Sequence, residues 1–184
     1  MEASLKIKLN SDLKDALRNG EKVKLGTIRM VLSAAKNAEM AKRAKLMVAT
    51  ANKAGITELN KLELSPEQIA EITKQAELED ADIITVIARE IKQRNESIEA
   101  YKLGNRPDLV AVEEAELAVL LTYMPKQVSH EEVVTIAQRI ISEIGARGMS
   151  DKGKVMPKII GELRGKADGK EINAVVTELL NAIH

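Results

Sequence analysis

The chain has 184 residues, 28 of them basic and 28 acidic, so its formal net charge is zero. It contains no cysteine, which excludes disulfides, iron–sulfur clusters, thiolate zinc sites and cysteine nucleophiles. No apolar run approaches the roughly 18 residues that a membrane span needs, and the first residues are already charged. We therefore expect neither membrane insertion nor secretion, and a cytoplasmic location.

The charges are unevenly distributed along the chain. Residues 1–53 hold 12 basic and 5 acidic residues, residues 54–125 hold 7 and 15, and residues 126–184 hold 9 and 8. Within the last region, residues 147–170 concentrate seven basic and three acidic residues. Such asymmetry either attracts a polyanion or pairs one helix with another in the same fold. For residues 1–53 we favour the pairing of helices.

Two helices are predicted in the first third of the chain. The first covers residues 2–18, is stopped by Gly20, and carries apolar residues at helical spacing: Leu5, Leu9, Leu13 and Ala16 or Leu17. The second begins near Lys22 and fades into a small, basic stretch before Gly55. The scarcity of aromatic residues also favours helices over sheets.

The middle of the chain predicts a short helix and a long one. Ser65, Pro66 and Gln68 form a helix start, because serine caps, proline suits the first turn and glutamine completes a capping box. That helix runs to about Glu77. The long helix closes at Gly104, and its apolar face is formed by Ile83, Ile87, Ile91, Ile98 and Tyr101.

Pro107 opens the next predicted helix and Pro125 ends it, with four side chains expected inward: Leu109, Val112, Leu120 and Tyr123. Pro125 is the predicted domain boundary, giving an N-terminal helical domain, residues 1–125, and a C-terminal domain, residues 126–184. The sequence of the C-terminal domain predicts three short amphipathic helices, which is typical of a small bundle. No segment alternates at period two, so the predicted fold class is all-α.

We find no catalytic or metal-binding pattern. His130 and His184 have no serine or carboxylate at a spacing typical of a relay, and both are expected on the surface. The stretch Gly148–Val155 resembles a phosphate-binding P-loop until its last position, where valine replaces the serine or threonine that holds magnesium. Three glutamates, Glu113, Glu114 and Glu116, are expected to point in different directions from a solvated face.

Two basic, glycine-containing stretches stand out in the C-terminal domain, residues 152–158 and 164–170. Small residues let a ligand come close, while helix starts and flanking cations favour anions such as phosphate. Two such turns can form one contact surface, or can be ordinary loops whose lysines serve solubility. Because aromatic residues are nearly absent, any nucleic-acid contact is expected with the backbone of structured RNA and not with stacked bases.

Four segments, in order along nearly the whole chain, resemble the YqeY family, whose members are small helical proteins related to the tail domain of GatB. GatB is the tRNA-recognising subunit of the glutamyl/aspartyl-tRNA amidotransferase. The segments are Leu25–Asn37, Ile91–Tyr101, Tyr123–Gln127, and Gly153–Met156 with Gly165–Lys170 and Asn173. Residues 46–79 depart from the compact family pattern as an insertion, and Pro157 is unusual for it.

The resemblance implies a tRNA-contacting C-terminal domain. The RNA-binding residues that it implies are Lys152, Lys154, Lys158, Arg164, Lys166, Lys170 and Asn173, and the turn-shaping residues are Gly153, Gly165, Asp168 and Gly169. It implies no catalytic residue, metal or cofactor in this chain.

Three functions follow as hypotheses. The first is a non-catalytic module that binds tRNA or other RNA. The second is an auxiliary component of a carbon–nitrogen ligase with glutamine as amido donor, acting within a tRNA-bearing amidotransferase or synthetase complex. The third is a protein-interaction module that uses the acidic helix at residues 80–103.

Overall fold

A computed structural model describes residues 4–55 and 63–183. The described residues form eight α-helices and one short 3-10 helix and include no strand, which confirms the all-α prediction. The helices are α1 (Leu5–Asn19), α2 (Lys22–Lys53), α3 (Pro66–Ala76), α4 (Asp80–Leu103), α5 (Pro107–Leu121), α6 (His130–Ile144), α7 (Lys152–Leu163) and α8 (Gly169–Asn181). The 3-10 helix, Met149–Asp151, leads directly into α7.

The chain divides into two compact units, Met1–Thr122 and Tyr123–His184. Residues 123–125 belong to the second unit, whereas the boundary at Pro125 places them in the first domain. The insertion at residues 46–79 stays a prediction, and residues 56–62 within it lie outside the described part of the chain.

In the N-terminal unit, α2 packs against α1, α3, α4 and α5. The side chains that fill the space between these helices are fully or almost fully buried: Leu9, Ala16, Ile28, Val31, Ile83, Ile87 and Leu120. The prediction that Val112 points inward is wrong, because it is 53% exposed and Val110 is buried in its place. The apolar residues of α5 itself are spread around the helix axis, so its sequence pattern does not indicate which face is buried.

Most helix ends follow the sequence signals. Ser65 and Ser129 each form the capping box, and Gly20 and Gly145 end α1 and α6 in the left-handed conformation. After α4 the left-handed residue is Asn105, with φ 52°, and not the expected Gly104. Asparagine is one of the few non-glycine residues that adopts this conformation readily.

The C-terminal unit is a bundle of α6, α7 and α8 around an apolar core: Val133, Ala137, Ile140, Val155, Ile159, Leu163, Ile172, Val176 and Leu180. Two contacts give the helix directions. His130 at the start of α6 lies 3.0 Å from Glu171 in the first turn of α8, whereas Lys152 at the start of α7 reaches Thr177 near the end of α8. α6 and α8 therefore run in the same direction, and α7 runs opposite to both.

Candidate nucleic-acid interface

The basic residues at the start of α7 make polar contacts with neighbouring side chains. Asp151 accepts hydrogen bonds from the Arg147 backbone N–H (3.0 Å) and from Lys154 Nζ (2.7 Å). The hydrogen bond from Lys154 lowers the pKa of Asp151, and the same bond raises the pKa of Lys154. Lys154 remains exposed, but part of its charge is balanced by the neighbouring carboxylate.

Lys152 is also occupied. Its Nζ donates a 2.8 Å hydrogen bond to Thr177 Oγ1 across the α7–α8 contact, and that hydroxyl donates to the Asn173 carbonyl oxygen at 2.6 Å. This contact is partly buried. Lys152 therefore links two helices of the bundle.

The segment between α7 and α8, residues 164–168, is fixed by contacts to the chain just before α6. Val128 N–H donates to the Lys166 carbonyl oxygen (2.9 Å), and Gln127 Nε2 donates to the Gly165 carbonyl oxygen (2.7 Å). Gly165 has φ 73°, a conformation that glycine adopts without strain. Asp168 then caps α8 by accepting from the Lys170 backbone N–H (2.7 Å). These contacts make the segment a defined turn, and we term residues 164–170 the basic turn.

Cations are exposed at the basic turn. Arg164, Lys166 and Lys170 are all exposed, and Asn173 follows one turn into α8. Within the described part of the chain, the Lys166 and Lys170 side chains contact no carboxylate. The N-terminus of α8 adds the positive end of a helix dipole, which favours anions.

The basic stretch at residues 152–158 occupies the first part of α7, and the stretch at residues 164–170 begins directly after the end of this 12-residue helix, which is about 18 Å long. A single surface that uses both stretches would extend along the length of α7, with exposed Lys158 near the middle of the helix. Gly153 lies within the first turn of α7, because α7 begins directly after the 3-10 helix. Gly169 is the first residue of α8. Pro157 lies inside α7.

The sequence model of the family described as Yqey-like protein matches residues 6–61 and 53–180. The chain belongs to the YqeY family. It is also similar to altered inheritance of mitochondria protein 41, mitochondrial, from Pyrenophora tritici-repentis strain Pt-1C-BFP. That protein is 25% identical over 183 residues, which cover 95% of this chain and 80% of the relative.

One YqeY segment, Ile91–Tyr101, contains a buried charge that sequence reasoning missed. Arg94 on α4 is 7% exposed, and its guanidinium lies near Glu90 (3.6 Å), Glu113 (3.3 Å) and Glu116 (2.8 Å). The expectation that the α5 glutamates point apart into solvent is wrong for Glu113 and Glu116. Positions i and i+3 share a helix face, and this face meets α4.

The remaining α5 glutamate and both histidines of this YqeY-family chain are predicted on the surface. Glu114 is exposed and lies 3.6 Å from Lys102. His130 is exposed, yet its Nδ1 lies 3.0 Å from Glu171 Oε1, a pairing between residues 41 positions apart that spacing did not predict. His184 lies outside the described residues. In residues 4–55 and 63–183, no helix is long and apolar enough to cross a membrane.

Proposed function

We propose that the C-terminal unit is a non-catalytic module that binds the backbone of structured RNA, tRNA above all, at the basic turn. The observation that supports this proposal is the exposed pair Lys166 and Lys170, presented without a described carboxylate partner beside the start of α8. Arg164 and Asn173 complete the contact surface. Cations of this kind bind phosphates and release condensed counterions, which makes binding depend on salt.

Lys152, Lys154 and Lys158 have a secondary role in this proposal. The first two are engaged by Thr177 and Asp151, so an RNA phosphate would have to compete with contacts that already exist. Lys158 is exposed midway along α7 and extends the surface toward them. The binding energy is therefore expected to concentrate at the basic turn.

The test is fluorescence anisotropy of labelled total tRNA with the purified full chain at 50 and 200 mM salt. We expect Lys166→Gln with Lys170→Gln to weaken binding at 50 mM about tenfold or more, because two phosphate contacts are lost. The comparison variant is Lys152→Gln with Lys154→Gln, which removes the same charge from cations that Thr177 and Asp151 already engage and should weaken binding less. Equal losses in the two double variants would contradict a site at the basic turn.

The proposal also covers partners and location. The partner is tRNA, either free or within a tRNA-bearing amidotransferase or synthetase complex, and the place of action is the cytoplasm. A pull-down with the full chain, with and without ribonuclease, tests this partner assignment. Recovery of synthetase or amidotransferase subunits that is lost after ribonuclease treatment would agree with it. Recovery of these subunits that is unchanged by ribonuclease would favour direct protein contact and the role as an auxiliary component of a carbon–nitrogen ligase.

A further inference from the structure

The exposed face of α2 carries four basic residues at intervals of seven positions, Lys22, Arg29, Lys36 and Arg43, which we term the α2 row. Seven residues are just under two helical turns, so successive members lie on the same side and drift by only about 20° per step. All four are exposed, whereas Val31 on the opposite side of α2 is almost fully buried.

The α2 row has no partner within the described residues. Some N-terminal cations do pair with other helices, as the sequence analysis favoured: Lys6 lies 2.7 Å from Glu39, and Lys42 lies 3.7 Å from Asp82. No member of the α2 row makes an ion pair or side-chain hydrogen bond with residues 4–55 or 63–183. The one acidic residue in α2 is Glu39, and Lys6 already occupies it.

We infer that the α2 row is a second surface for the RNA backbone, located in the N-terminal unit and separate from the basic turn. This inference rests on the proposed function only in taking RNA as the ligand. Members of the row are about 10.5 Å apart, and the row is about 32 Å long. That step is close to the Debye length at 0.1 M salt, roughly 10 Å, so each cation acts largely on its own phosphate.

The surroundings of the row favour a phosphate backbone over a protein or a membrane. Gly26 and Ser33 lie between the charges, so small residues let a backbone approach closely. Protein interfaces are depleted in lysine and need an apolar centre, whereas the exposed large apolar side chains within the span of the row are Val23 and Met40, which are 17 positions apart. A membrane-surface helix needs a free apolar face, but that face of α2 is buried within its own unit.

The experiment uses the full chain with three variants. The row variant is Arg29→Gln, Lys36→Gln and Arg43→Gln, and the turn variant is Lys166→Gln with Lys170→Gln. The matched control is Lys14→Gln, Lys74→Gln and Arg89→Gln, which removes three exposed charges elsewhere in the N-terminal unit. Circular dichroism checks that each variant is folded. Binding to total tRNA is then measured from 50 to 300 mM salt.

We expect the row variant to bind tRNA at least tenfold more weakly at 50 mM salt. We also expect the slope of log K against log salt to fall by about 2 to 3, since each lost phosphate contact removes roughly 0.7 to 0.9. Row and control variants that bind alike would overturn the inference, whether or not the turn variant is impaired. An impaired row variant beside an unimpaired turn variant would support the α2 row and overturn the site at the basic turn. Binding of the wild type to anionic vesicles but not to tRNA would overturn both.

Discussion

Arg94 Nε donates a 2.8 Å hydrogen bond to Glu116 Oε2 and thereby joins α4 to α5 inside the N-terminal unit. Three carboxylates surround this one guanidinium, which also contacts Met30 Sδ. Glu113 Oε2 is buried and, within the described residues, makes no hydrogen bond, although Arg94 Nε lies 3.3 Å from it. The excess of negative charge makes the cluster depend on Arg94.

Replacing Arg94 with methionine should lower the free energy of unfolding by about 3 kcal/mol, because the carboxylates would be left without their cation. Adding Glu113→Gln and Glu116→Gln should restore part of that loss, since a neutral amide is less costly to bury than a charge. Urea unfolding measures both effects. Lys92→Met is the control, because its pair with Glu96 is exposed and should be worth less than about 1 kcal/mol. A harmless Arg94→Met would contradict a stabilising role for the cluster.

The contribution of Glu39 to stability should depend on pH. Burial raises the pKa of Glu39, but the hydrogen bonds from Lys6 and from the Leu78 backbone N–H, with the charges of Lys6 and Lys42, outweigh it and lower the pKa. A lowered folded-state pKa stabilises the fold above the ordinary pKa of glutamate, and that stabilisation is lost as pH falls through the folded-state value. Unfolding free energies of wild type and Glu39→Gln should therefore converge between about pH 5 and pH 3.

The same substitution at exposed Glu99 serves as the control for the loss of a surface charge. A stability difference between wild type and Glu39→Gln that stays constant from pH 7 to pH 3 would contradict the assigned cause.

The capping box of α6 provides a prediction about local stability. Ser129 Oγ accepts from the Glu132 backbone N–H (3.2 Å), and Glu132 Oε2 accepts from the Ser129 backbone N–H (2.7 Å). Ser129→Ala should cost about 1 kcal/mol, because a backbone donor at the helix start loses its acceptor. Ser142→Ala on the exposed side of α6 is the control and should change stability by less than about 0.5 kcal/mol. Indistinguishable thermal unfolding of the two variants would argue against the cap.

Gln127 tests whether the basic turn must be held in place to bind RNA. Its side-chain amide donates to the Pro125 carbonyl oxygen (3.1 Å) and to the Gly165 carbonyl oxygen (2.7 Å). Gln127→Ala should weaken tRNA binding about threefold while leaving the salt slope unchanged, since no cation is removed. Gln138→Ala on α6 is the control. A reduced salt slope would mean that the substitution disturbs phosphate contacts directly and not only their placement.

Much of the fold is readable from local sequence. Ser65 and Gly20 mark helix ends because capping and left-handed conformations depend on a few neighbouring atoms, and both act as predicted. Face assignment succeeds where apolar residues follow one stripe, as at Ile83 and Ile87. It fails for Val112, because the apolar residues of α5 are spread around the helix and only packing selects the buried face.

The sequence by itself determined the helical class, most helix ends and the positions of the basic residues, since these depend on residue type and spacing within one or two turns. Tertiary structure decided which charges are engaged. Lys152 meets Thr177 and Arg94 meets Glu116 because packing brings together residues 25 and 22 positions apart. The cations of the α2 row stay exposed because they lie on the face of α2 that points away from the core. Those of the basic turn stay exposed because the turn lies at the end of the bundle, outside its core. Where apolar residues do not follow one stripe, local spacing does not encode which face of a helix its neighbours will cover.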